Sequence, residues 1–171
     1  MNQIKILEFK KESVFELIQF AVLVGIAIVV PLFYQQAITG SIINATLFVS
    51  VILLGVQNAI LVGLIPSLIA LSVGLLPPIL APIIPFIIVG NVILIIVFDS
   101  LKEKSFWLGV ISASILKFIF LFSTSSIVIN LLLKKEIASK VAIMMSWPQL
   151  LTALAGGLIA YIFLKNIKRW I

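Results

Sequence analysis

Cysteine and histidine are both missing from the 171 residues. Their absence removes iron–sulfur clusters, zinc centres and thiol redox chemistry, all of which need thiolate or imidazole ligands. A hydrogenase, a metalloprotease and a Cys/His hydrolase are excluded with them. Charge is scarce as well: 12 Lys+Arg and 6 Asp+Glu make 11% of the chain. A soluble domain carries about a quarter of its residues charged, so this chain cannot cover a globule with hydrated surface. The six acids leave no paired carboxylates and no acidic relay for proton coupling, and no Gly-rich phosphate loop accompanies them. A pump hydrolysing its own ATP is excluded. No nucleophile sits beside a base, so the chain is not expected to be an enzyme and no cofactor is expected.

What is present is hydrophobic: 63% of the residues are apolar, and the mean hydropathy is +1.33. The apolar runs are continuous rather than alternating, which excludes a transmembrane β-barrel and leaves helices as the spanning elements. The sequence therefore predicts an all-α integral membrane protein of the cell membrane. It has one domain over 1–171, with six transmembrane helices in one compact bundle surrounded by membrane lipid. The expected spans are 14–34, 42–58, 59–75, 86–98, 106–133 and 146–164. Residues 1–13 read as an interfacial amphipathic stretch. The following apolar run is too long for a cleavable signal peptide. Gln35, Gln36, Thr39, Gly40 and Ser41 read as a polar connection. Four prolines in PPILAPIIP (Pro77, Pro78, Pro82, Pro85) predict an extended, packed outer loop over 76–85, because each removes an N–H from any regular helix.

The net charge of +6 resides mainly at span ends, where membrane topology accounts for it without nucleic acid. With the N-terminus inside, eight basic residues fall on the inner side: Lys5, Lys10, Lys11, Lys102, Lys104, Lys165, Lys168 and Arg169. Three (Lys134, Lys135, Lys140) fall outside. The imbalance predicts cytoplasmic N- and C-termini.

The twelfth basic residue, Lys117, lies about 18 Å into the fifth span, near the middle of a ~30 Å hydrocarbon core. Such a residue is costly in lipid and marks a functional site. It reads as a counter-charge for an anionic ligand group, with a structural ion pair or a snorkelling lysine as the alternatives. Asn44, Asn91, Thr124, Asn130, Trp147 and Gln149 fall with it at the midplane or in the outer half. Serine and threonine can instead satisfy themselves on their own helix carbonyls. Trp147 suits either an interfacial anchor or an aromatic wall for a ligand. Polar groups converging beneath two outer loops are what a small-molecule pocket loaded from outside requires. Small residues at a spacing of four recur in Ala21–Gly25 and Ala70–Gly74, and Ala153, Gly156, Gly157 and Ala160 cluster in the last span. Such residues allow close helix approach, either within the bundle or to a partner.

The stretch Asn44 to Asn91 contains LLG (Leu53, Leu54, Gly55), VGLIPSLIAL (Val62 to Leu71) and PFIIVGN (Pro85 to Asn91). In these pieces and in its six-span plan the chain resembles the substrate-binding S components of energy-coupling factor (ECF) vitamin transporters. The resemblance implies a protein that binds one vitamin-like organic solute from outside. It would dock on a transmembrane coupling protein driven by two ATPases. Family members contact that protein through an Ala-x-x-x-Ala pattern in the first span; the matching positions here are Ala21 and Gly25, with Gly in place of the second Ala. Nickel and cobalt members rely on an N-terminal histidine, which this chain lacks, so a metal substrate is not expected. The competing expectation is a structural or assembly subunit of a membrane complex without its own ligand, in which Lys117 pairs with a partner's acid.

Overall fold

The computed structural model describes residues 2–33, 35–73, 78–132 and 142–167, with side chains described from Ser13 onward except at 78–80, 126 and 128–132. All regular structure among them is helical. The helices are α1 (Asn2–Val29), α2 (Gln36–Ser72), α3 (Ile84–Lys102), α4 (Phe106–Leu132) and α5 (Trp147–Ile167). Short 3-10 segments lie at Val30–Phe33 and Pro78–Ile83. Five helices are long and apolar enough to cross a membrane.

Each boundary has a local cause. Pro31 cannot donate the N–H that would continue α1, and the chain tightens into its 3-10 turn there. Gln35 is extended, and α2 starts at once with Thr39 N donating to Gln35 O at 2.8 Å. The residues expected as a polar connection, Gln36 to Ser41, are therefore the first turns of α2. Their hydroxyls do not break the helix because Ser41 Oγ donates to Ala37 O and Thr39 Oγ1 to Val30 O.

The expected boundary at residues 58–59 lies instead at Gly55, which has φ 77° and ψ 174° inside α2. Only glycine reaches this backbone region without strain. Val56 to Asn58 continue the helix, and Asn58 Nδ2 donates back to Leu54 O at 3.2 Å. The chain reverses at Gly55. A Cβ added at Gly63 would lie 3.4 Å from Leu47 Cδ2, although those residues would be ~24 Å apart on a straight helix. The two legs of α2 thus lie against each other.

The Pro-rich loop is 3-10 rather than extended over its described part. Proline's fixed φ suits that turn, and Pro85 then occupies the first turn of α3, where its missing N–H costs nothing. α3 continues beyond residue 98 through Asp99 and Lys102, which pair at 2.7 Å. Residues 76 and 77 of that loop, the expected 134–140 loop, Tyr34, Gly74 and the tail from Lys168 lie outside the described residues.

The main core joins both legs of α2 to α1, α3, α4 and α5 through Leu47, Phe48, Val62, Leu94, Phe98, Val110 and Ala153. Phe48 and Phe98 meet edge to face at 4.8 Å. A smaller cluster of Ile83, Ile84, Leu121 and Met145 lies at the other end. Large apolar side chains such as Leu17, Val22, Leu61, Ile119, Phe122 and Ile162 stay exposed on the outside of the bundle.

Candidate functional site

Lys117 is 3% exposed. Its Nζ donates to Asn44 Oδ1 at 2.7 Å and to Asn91 Oδ1 at 2.8 Å. Those residues are 73 and 26 positions away in the chain, so three helices meet at one ammonium. Each amide is itself held: Asn44 Nδ2 donates to Gly40 O at 2.8 Å, and Asn91 Nδ2 donates to Gly63 O at 3.1 Å. Both amides therefore present their oxygens to the lysine, and no side-chain N or O sealed from solvent among the described residues lacks a partner.

Close helix approach makes this meeting reachable. At Gly156 a Cβ would lie 2.7 Å from Asn44 Cβ and 2.8 Å from Ser41 O. Any side chain there would push α5 away from the first leg of α2 at Asn44. At Gly63 a Cβ would meet Ile95 Cδ1 at 3.3 Å, so the missing side chain lets α3 come near enough for Asn91 to bond the Gly63 carbonyl. In α5 the small residues Ala153, Gly156, Gly157 and Ala160 are all buried and pack within the bundle.

The lysine and both asparagines line a cavity of about 170 Å³. Its walls are largely apolar, with Pro31, Ile43, Pro66 and Ile87 among them. Thr39, Ser67 and Gln149 add polar groups, and exposed Gln36 stands at the rim. The cavity belongs to the end of the bundle where α1 stops and α2, α3 and α5 begin, opposite Gly55 and the α3–α4 turn. No carboxylate is among its described lining residues. The charge of Lys117 is thus solvated by amide oxygens without being neutralised, which is costly in a low-dielectric interior unless a further partner arrives.

The structure gathers Asn44, Asn91, Lys117 and Gln149 around one cavity. Gln149 Nε2 donates to Met144 O at 3.0 Å. Thr124 and Trp147 are not part of the lining. Thr124 Oγ1 donates to Phe120 O at 2.8 Å, the back-bond open to any helical threonine. Trp147 is 64% exposed and stacks on Phe118 at 5.1 Å, which makes it a surface residue instead of an aromatic wall. The side chain of Asn130 lies outside the described residues. Ala21 is exposed, and a Cβ at Gly25 would meet nothing within 4 Å; this pair presents an open face.

Ser67 was not singled out from the sequence, yet it is 8% exposed and lines the cavity. The signal was the adjacent Pro66, which interrupts a helix and disturbs the bonding of its carbonyls.

Fold and site together define a bundle of membrane-length apolar helices around a pocket with a buried lysine in its lining. Comparisons with protein-family models, with curated proteins and with solved structures found no match.

Proposed function

We propose that this chain is the solute-binding subunit of an ECF-type uptake transporter, taking a small vitamin-like organic solute from outside. The observation that carries the reading is the Lys117–Asn44–Asn91 junction lining a partly apolar cavity. A charge kept in a membrane interior with no acid beside it among the described residues has a use for which an apolar residue would not serve. The two legs of α2 on either side of Gly55 are ~28 and ~25 Å long at 1.5 Å per residue. Each is close to the thickness of the hydrocarbon core, which supports six crossings of the cell membrane. The basic-residue imbalance supports cytoplasmic termini, and in that orientation the cavity faces outward.

With no nucleotide motif or acidic relay, transport energy comes from the coupling protein and its two ATPases. The open Ala21–Gly25 face on α1 supports docking there, since helices in lipid associate through close packing of small residues. The alternative of an assembly subunit without its own ligand needs Lys117 to reach a partner's acid. At 3% exposure it is shielded from a partner helix by its own bundle.

The test is mass spectrometry of small molecules released from the folded, detergent-solubilised protein. A stoichiometric organic solute is expected. Recovery of lipid alone from protein shown to be folded defeats the proposal.

A further inference from the structure

We infer that the solute is a ring-sized organic monocarboxylate, its carboxylate bound by Lys117 and the Ser67 hydroxyl; the inference rests on the solute-binding reading of this cavity. The first argument is charge. Lys117 is the one ionic side chain among the described lining residues. Its ammonium has three N–H donors, of which Asn44 and Asn91 take two. One donor and the charge of the protonated lysine are left for a ligand. A monoanion neutralises that charge. Among the described lining residues a dianion's second charge has no partner, and the ammonium of a zwitterion has no acid.

The second argument is Ser67. Thr46 and Ser50 on the same helix donate back to the carbonyl four residues earlier. For Ser67 that carbonyl belongs to Gly63, and Asn91 Nδ2 already donates to it. The Ser67 hydroxyl makes no hydrogen bond among the described residues while being 8% exposed on the cavity wall. It is a second donor available to a carboxylate oxygen, placed there by the same asparagine that holds the lysine.

The third argument is size. The cavity holds about 170 Å³, slightly more than the ~150 Å³ apolar cavity that admits one benzene. One six-membered ring or a short branched chain fits beyond the carboxylate, against Ile43, Pro66 and Ile87.

The experiment measures equilibrium binding to the purified full chain in mild detergent. Benzoate, cyclohexanecarboxylate and hexanoate are compared with their primary amides, and phthalate serves as the dianion. At least one monocarboxylate is expected to bind, with its amide weaker by roughly ten- to a hundredfold, the range of a charge-assisted hydrogen bond. Phthalate should not compete. Lys117→Met should remove the preference for acid over amide, and Ser67→Ala should weaken the acid about tenfold with the amide little changed. Equal binding of acid and amide overturns the inference, as does failure of all three acids to bind. Where Lys117→Met does not fold, Ser67→Ala decides: unchanged acid affinity overturns the inference. A neutral or cationic solute released from the native protein would overturn the monocarboxylate while leaving a solute-binding subunit in place. Lipid alone would overturn both.

Discussion

Removing Asn91 should destabilise the protein far more when Lys117 is present than when it is not. Asn91 accepts from an ammonium that is 3% exposed, and hydrogen bonds to charged groups are worth ~1.5–3 kcal/mol. It also donates to Gly63 O, a neutral bond worth ~1 kcal/mol. Asn91→Ala should therefore cost about 3 kcal/mol. In a Lys117→Met background the charge is gone and the Asn91 oxygen has already lost its donor. The same truncation should then cost only ~1 kcal/mol. The expected coupling of about 2 kcal/mol lies within the range for contacting residues. It also exceeds the ~0.6 kcal/mol average for neutral interhelical hydrogen bonds in membranes, so charge is what it reports. The four proteins of this cycle would be unfolded reversibly from mild detergent by SDS and followed by circular dichroism. Effects that add within ~0.5 kcal/mol would refute the claim that Asn91 carries the buried charge.

Three other perturbations probe the positioning of the site. Gly156→Val places its Cβ against Asn44 Cβ and the backbone at Ser41 and Ala45; a loss of ~1–3 kcal/mol by the same SDS unfolding is expected. Gly55→Ala forces an L side chain to φ 77° and ψ 174° and should cost ~1–3 kcal/mol, measured likewise, with the helical circular dichroism signal retained. A Cβ at Gly25 meets no atom within 4 Å, so for Gly25→Leu the unfolding midpoint and solute binding should stay near wild type. Uptake and co-purification with the coupling protein should be lost, and retention of both would remove α1 as the docking face.

The scarcity of charge and the long apolar runs made the membrane class legible, because lipid permits few spanning structures and each needs a long apolar stretch. The residue types at the heart of the site were legible for the same reason: in an apolar chain, Lys117, Asn44 and Asn91 are expensive wherever they are placed. Thr124 and Trp147 carried the same polar or aromatic signal without belonging to the cavity. A hydroxyl back-bonded to Phe120 and an indole stacked at the surface look, in sequence, like ligand contacts.

Composition and hydropathy alone determined a helical chain with helices long and apolar enough to cross a membrane, without thiols or imidazoles, and with a lysine deep in one apolar run. Tertiary structure decided which asparagine oxygens meet that lysine, where α2 reverses, and that the Ser67 hydroxyl on the cavity wall has no hydrogen-bond partner among the described residues. Those outcomes depend on how each helix is rotated and how closely it approaches its neighbours. Core and lipid are both apolar, so a helix buried on one face and lipid-facing on the other has no polar stripe to reveal its rotation. Rotation and approach come from packing, in which Gly63 and Gly156 leave room for Asn91 and Asn44. Only once the helices are seated do residues 73 and 26 positions apart converge on one ammonium.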